Sequence, residues 1–362
     1  MPDRFLVSAV GAVIEVDVSR RDVEFRTRAH DAWVDARYEG DRGPDAVAAV
    51  REELDDDAAL SMLSTDVTIA ALAQRRSEPV WLLHAAGLAD DAGRVVVLSA
   101  PSGTGKTTAA RHLSRRYAYV SDETIAIAAD GSVDPYRKPL SIIEAGSAHK
   151  AQVALSSIDG GRALPAALRV VKIVVLDRSP NAPEEPLLEE LDVAEALELL
   201  GPQTSYLCDG DAALRRIDAL LGATGGAVRL RYREVDGIDA IIDALMQTDI
   251  RPVPPIMPGS SAPVPASPRP GAYRRTEVVE ELSLGARTAV LRRLPTGGQV
   301  HVLDGIGPTL WEAAHGRTLD EIVAAVVAEH GEPATGDARA MVGAALQELV
   351  DDGLLQTTPI QT

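Results

Sequence analysis

The chain has 362 residues and a net charge of −18, with 36 Lys and Arg against 54 Asp and Glu. That balance argues against a nucleic-acid or anionic-membrane partner, and the single cysteine, Cys208, excludes an intramolecular disulfide and a cysteine-built zinc site. Length suits two or three domains, and 46% apolar but only 3% aromatic residues imply cores packed from aliphatic side chains and alanine.

The first residues, M-P-D-R-F-L-V, place no basic region before a long apolar one, so no signal peptide is expected. No apolar run reaches the roughly 18 residues of a membrane helix. A cytoplasmic, reducing location follows as an expectation. Residues 3–40 alternate apolar and polar and predict a small antiparallel region. Residues 1–78 are expected to add strands to the main sheet. The stretches 45–60 and 65–76 read as helices, with Pro79 stopping the second. Residues 81–88 (W-L-L-H-A-A-G-L) read as one strand and 90–93 (D-D-A-G) as a turn. On spacing alone, His84 in that strand is equally a buried core histidine.

Residues 94–108 read R-V-V-V-L-S-A-P-S-G-T-G-K-T-T. A β-branched run meets a small-residue loop that opens a helix, the context a phosphate-binding loop needs. Ser102, Gly103, Thr104 and Gly105 allow successive backbone N–H groups to form an anion-sized nest. The helix behind them, through Thr107 and Thr108, adds the positive end of its dipole. Lys106 is placed to reach the β- and γ-phosphates of ATP and the Thr107 hydroxyl to hold Mg²⁺. Ala100 stands where the first glycine is usual. Beyond the loop helix, a short strand ends at Ser121, and Asp122 and Glu123 follow at its carboxyl end. A carboxylate there binds Mg²⁺ or takes the proton of an attacking hydroxyl.

A hairpin is expected over 124–136 around Asp130-Gly131. Arg137 and Lys138, in the rigid loop P-Y-R-K-P, are either phosphate contacts or solvated cations. Glu144, His149 and Lys150 lie in a weakly patterned stretch without an assigned purpose. Strand 169–177 ends in Asp177, which suits either a Walker-B-type metal ligand or an ordinary strand end. Helices over 192–200, 211–221 and 238–246 and a strand over 229–232 complete a first domain, 1–250. Residues 251–270 hold eight prolines in twenty and predict a semi-rigid spacer of up to ~60 Å at ~3.1 Å per residue. Residues 271–358 form a second domain with strands at 278–284, 289–294 and 299–303 and helices at 306–314, 319–330 and 337–351. Thr318 and Glu321 form a capping box at the second helix. Seven basic against thirteen acidic residues over 273–355 oppose a DNA-reading winged helix and favour a peptide-binding module.

Residues 80–246 resemble the HPr kinase/phosphorylase group and its relatives. The resemblance rests on Leu83-His84, S-A-P-S-G-T-G-K-T-T, the strand ending in Asp122, K-P-L-S at 138–141 and R-L-R-Y at 229–232. It implies an α/β, phosphoenolpyruvate-carboxykinase-like P-loop kinase fold that phosphorylates a serine hydroxyl. In it His84 lies in the active site, Lys106 holds phosphates, Thr107 helps bind Mg²⁺ and Asp122 is the base. Glu123 replaces the second Asp frequent in the bacterial regulators, whose C-terminal regulatory motifs are not evident; phosphorylase activity and HPr as substrate are therefore not expected. Residues 273–355 resemble the PqqD-like family, small α+β, winged-helix-like modules that bind leader peptides in ribosomally made peptide pathways. The matching stretch is V-H-V-L-D-G-I-G-P-T-L-W-E-A-A-H-G-R-T-L-D-E-I-V and then A-L-Q-E-L-V-D-D-G-L-L-Q. Together the two resemblances imply an ATP- and Mg²⁺-dependent kinase acting on a precursor peptide or small protein. A nucleotide-gated peptide-presenting protein and a small-molecule kinase remain as alternatives, and a homo-oligomer is compatible with either domain.

Overall fold

The computed structural model describes residues 2–101, 103–142, 150–157, 161–249, 251–254, 269–295 and 297–359. The chain divides into two compact units, Met1–Asp211 with Arg216–Pro255, and Ala212–Arg215 with Ile256–Thr362. Ser102, Glu144, His149 and most of the proline-rich stretch lie outside the described residues.

The first unit is α/β. Its main sheet has six strands in the order Leu187–Leu191, Ala227–Tyr232, Arg169–Arg178, Arg94–Ser99, Ala85–Ala89 and Ala118–Ser121. Arg94–Ser99, Arg169–Arg178 and Ala227–Tyr232 run parallel to one another. Ala85–Ala89 is antiparallel to Arg94–Ser99 and to Ala118–Ser121, so Ala118–Ser121 points the same way as Arg94–Ser99. Val95 to Leu98 are fully buried, as a continuous apolar run in a sheet covered on both faces should be. Leu98, Ala109, Leu113, Leu230, Ile238 and Ile242 share one core, which seats helices Lys106–Leu113 and Asp239–Met246 on this sheet.

A four-stranded sheet lies beside it, ordered Thr204–Ser205, Val80–Leu83, Ile125–Ala128, Val133–Asp134. Residues 81–88 are therefore two strands in two sheets rather than one, and His84 is the link between them. The 124–136 hairpin forms as expected, with Gly131 at φ +87° in its turn.

Residues 1–78 do not extend the main sheet. Arg4–Ala9, Ala12–Asp17 and Ala46–Ala49 build a separate three-stranded sheet, whose core also takes in Val80, Leu82 and Ala126 of the four-stranded sheet and Tyr136 just beyond it. The edges of the main sheet are already taken by Leu187–Leu191 and Ala118–Ser121. The helix expected at 45–60 is also displaced. Ala46–Ala49 pairs in parallel with Ile14 to Asp17, because tertiary pairing overrides the helix propensity of an Ala-rich run. The helix starts at Asp56, where the Asp55 side chain accepts from the Ala58 N–H at 2.9 Å, and continues unbroken to Arg75. A helix over Val23–Ala32, with Asp22 as its cap, also interrupts the region read as wholly antiparallel.

The second unit is α+β. Strands Glu280–Leu284, Arg287–Leu294 and Gly297–Leu303 form an antiparallel meander, as the pattern predicts. A second sheet, His315–Thr318, Ala272–Arg275, Leu355–Thr357, is absent from the expectation because its strands are only three or four residues long. Helices Gly307–Ala313, Leu319–His330 and Ala338–Asp351 close over Leu310, Trp311, Ile322, Leu346 and Leu354. The Thr318–Glu321 capping box is formed. Among the described residues no helix is long and apolar enough to cross a membrane.

The turn that delivers the chain into the central strand is built by Asp90 and Gly93. Asp90 Oδ1 accepts from the N–H groups of Ala92 and Arg94, both at 3.0 Å. Gly93 sits at φ +79°, and a Cβ there would stand 1.9 Å from the Ala167 carbonyl oxygen. Gly93→Ala should therefore cost ~2 kcal/mol or more, read as a lower urea midpoint at unchanged m-value; an unaltered midpoint would show that the neighbouring 165–167 segment yields freely.

Candidate active site

The parallel direction of three core strands and of Ala118–Ser121 brings four carboxyl ends to one edge of the main sheet, where ligands of such sheets bind. Ala100 to Gly105 follow the central strand there. Gly103 and Gly105 have φ of +83° and +100°, conformations that a side chain disfavours. A Cβ on Gly103 would meet nothing within 4 Å, so its backbone faces open space. Thr104 Oγ1 donates to the Pro101 carbonyl at 2.6 Å and braces the loop. Gly105 is the N-cap of helix Lys106–Leu113, and no side chain caps that helix. Its first-turn N–H groups are thus left to an anion. Thr107 and Thr108 are exposed on that turn.

Lys106 is buried, and its ammonium donates to the Ala100 carbonyl at 2.5 Å. Burial pulls its pKa below the ordinary lysine range, against the opposing charges of Glu123 and then Asp122. The two acids expected at the site therefore face the lysine of the loop.

Those acids occupy a second sheet crossover. The chain leaves the main sheet at Ser121, passes Asp122, Glu123 and Thr124, and enters the four-stranded sheet at Ile125. His84 makes the reverse passage beside it, and its Nδ1 lies 2.6 Å from the Glu123 carbonyl oxygen and 3.6 Å from Glu123 Oε1. The Ser121 hydroxyl accepts from the N–H groups of Glu123 and Thr124, at 3.1 and 3.3 Å. Glu123 Oε2 is 2.8 Å from the Lys138 ammonium. Burial opposes ionisation of Glu123, but Lys138, by charge and by hydrogen bond, with His84 and Lys106, outweighs it and holds the carboxyl below its ordinary range.

Asp122 Oδ1 is buried with no hydrogen-bond partner among the described residues, and the same is true of the Tyr119 hydroxyl. Burial, then the charge of Asp122 and a hydrogen bond toward it looser than the geometry of a full bond, push the Tyr119 phenol well above its usual pKa, so it stays protonated and faces Asp122. Arg137 has a mostly buried guanidinium whose nearest carboxylate, Asp35, is 3.9 Å away. Burial lowers its pKa.

Lys138, expected as a phosphate contact or a solvated cation, is committed to Glu123, and Glu123, expected as a metal ligand, to Lys138 and His84. Asp177 is 3.5 Å from Arg231 on the adjacent strand, which in turn reaches Glu189 at 3.2 Å; this is a cross-strand charge ladder. Sequence reasoning missed Tyr119 and Arg178. Arg178 Cδ lies 3.5 Å from where a Cβ on Gly105 would stand; its only signal was a cation directly after the last acidic residue of a buried strand.

A magnesium nucleotide fits these residues. The loop is open at Gly103, Thr107 is exposed beside it, and Asp122 Oδ1 has no well-formed hydrogen bond among the described residues. Among the described residues no three His, Cys, Asp or Glu side chains are grouped to hold a metal ion alone.

Comparison with known proteins gives two findings. Residues 290–355 match the family described as coenzyme PQQ synthesis protein D, PqqD, so the C-terminal region carries a PqqD domain. Among solved structures, the HPr(Ser) kinase/phosphatase from Coxiella burnetii aligns over 46% of this chain and 93% of its own, at 13% identity and a TM-score of 0.25. No curated protein matches the chain.

Because the Glu123 carboxyl titrates lower in the fold than its ordinary 4.5, its interactions contribute stability above that pH, and the contribution disappears as pH falls through the lowered value. Glu123→Gln should therefore be less stable than wild type at pH 7, and the gap should narrow in urea melts below about pH 4.5. A gap that stays constant to pH 3 would mean that the Lys138 and His84 contacts add nothing through charge.

Proposed function

We propose that this chain is an ATP- and Mg²⁺-dependent kinase that phosphorylates a hydroxyl, serine in the first instance, of a ribosomally made precursor peptide whose leader is held by residues 271–358. The observation that carries this reading is the Asp122 carboxylate, one of whose oxygens is buried without a well-formed hydrogen bond among the described residues, beside an uncapped loop whose lysine feels its charge. The PqqD domain supports the choice of a peptide as substrate.

In this reading the N–H groups of 103–107 and the Lys106 ammonium bind the triphosphate and take up the charge that develops on it. Asp122 accepts the proton of the acceptor hydroxyl as that oxygen bonds to the terminal phosphorus and ADP leaves. The Tyr119 phenol, kept protonated by burial, is available to donate toward Asp122 and orient it. Glu123 fixes His84 and Lys138 behind the reacting groups. Thr107 would hold Mg²⁺, which would supply charge neutralisation between the phosphates. The proline-rich segment 251–270 tethers the peptide module, raising bound peptide to the order of millimolar at a kinase site within its reach.

The test is intact-mass analysis of peptides encoded beside this gene after incubation with the protein, ATP and Mg²⁺. One phosphoryl group should be added, and none with Lys106→Ala. Asp122→Asn should keep nucleotide affinity while turnover falls by ~10²–10⁴-fold. Normal turnover in Asp122→Asn would remove it as the base. Peptide binding that changes with nucleotide, without phosphopeptide, would turn the assignment to a presenting protein.

A further inference from the structure

We infer that Arg178 is a phosphate-binding residue of the loop site, its guanidinium exchanging the Glu234 carboxylate for the phosphate chain of the bound nucleotide. The inference rests on the nucleotide-binding part of the function proposed above and adds a residue that the loop motif does not contain.

Arg178 is the last residue of the strand parallel to the one that enters the loop. It stands at the carboxyl edge where Gly103 and Thr107 are exposed. Its Cδ is 3.5 Å and its Nη1 3.9 Å from the point a Cβ on Gly105 would occupy. The side chain thus lies along the loop backbone at the uncapped end of the helix.

Its two recorded hydrogen bonds leave the fork free to change partner. Nε donates to the Arg233 carbonyl at 3.0 Å, which fixes the stem. Nη2 donates to Glu234 Oε2 at 3.1 Å. The Arg178 side chain is 39% and the Glu234 side chain 79% exposed, so this pair is screened and weak. A guanidinium binds phosphate oxygens with two parallel hydrogen bonds, a stronger and more directional contact than the exposed pair. Lys106 is buried and bonded to Ala100 until phosphate takes that carbonyl's place; Arg178, partly exposed beside Gly105, is a second cation at the loop. Glu234 then holds the guanidinium near the cradle until the phosphates arrive.

The experiment is calorimetric titration of the full chain with MgATP and, separately, with adenosine, which lacks phosphates. Circular dichroism melts check that each variant folds. Arg178→Ala should weaken ATP by about tenfold to a hundredfold and leave adenosine within about twofold, while Arg178→Lys recovers part of the loss by charge alone. Glu234→Gln should tighten ATP by about two- to fivefold, since the weak competing pair is removed. Wild-type ATP affinity in Arg178→Ala, or equal loss of ATP and adenosine, would overturn the phosphate role. Unchanged affinity in Glu234→Gln would overturn the exchange. A wild-type chain that binds no ATP would overturn both this inference and the kinase reading; ATP binding sensitive to Arg178 without any phosphopeptide would leave the inference standing and remove only the kinase.

Discussion

Two neighbouring strands leave one sheet for another, and that double crossover sets what the site can be. At His84 the chain passes from the four-stranded sheet into the main one, and at Asp122–Thr124 it passes back. A backbone making that passage cannot keep its ladder hydrogen bonds, so its polar groups need other partners. The Ser121 hydroxyl takes two of the N–H groups. The His84 ring meets the Glu123 carbonyl, and the Gln203 carbonyl accepts from the His84 N–H at 2.7 Å. These bonds fix the two crossovers to each other beside the loop. The acids are consequently held by backbone on both sides, which suits a site whose geometry must survive the arrival of a highly charged ligand.

Helix capping separates the loop helix from others in the same chain. Asp22, Asp55, Asp192 and Asp337 each accept an N–H from the first turn of the helix they precede. Helix Lys106–Leu113 has Gly105 instead, with no side-chain cap. An aspartate there would satisfy the first-turn N–H groups and place a negative charge where phosphate must sit. With glycine at the N-cap, forgoing the side-chain cap costs only a few tenths of a kcal/mol of helix stability, and a bound anion can restore it.

What could be read in advance follows the range of the forces involved. The loop, its strand, its helix and the turn at 90–93 are fixed by neighbours in sequence, through β-branched residues, left-handed glycines and an aspartate that bonds two N–H groups of its own turn. Likewise the Thr318–Glu321 capping box and the 287–303 hairpin were legible from local pattern. The strand at 46–49 was not, since its Ala-rich sequence prefers helix until Ile14 to Asp17 offer it a partner. Nor was the break at His84, because Trp81–Leu83 and Ala85–Leu88 are equally apolar on either side and periodicity carries no mark of a change of sheet. Arg178 and Tyr119 were hidden for a related reason: each owes its place to a strand neighbour distant in sequence.

Asp122 and Asp177 show why position in a strand does not by itself decide function. Both lie at the carboxyl ends of strands that point the same way, and both are aspartates after apolar runs. Asp177 faces Arg231 in register, and Arg231 also serves Glu189, so its charge is spent within the sheet. Asp122 follows an edge strand whose only ladder partner among the described residues is Ala85–Ala89. Among the described residues its Oδ1 is buried without a well-formed hydrogen bond, and the fully buried Tyr119 phenol toward it is in the same condition. An orphaned buried acceptor costs on the order of 1–3 kcal/mol, a burden a fold retains where a ligand relieves it. The carboxylate that the sheet leaves unsatisfied, rather than the one it neutralises, is therefore the one to be given a chemical role.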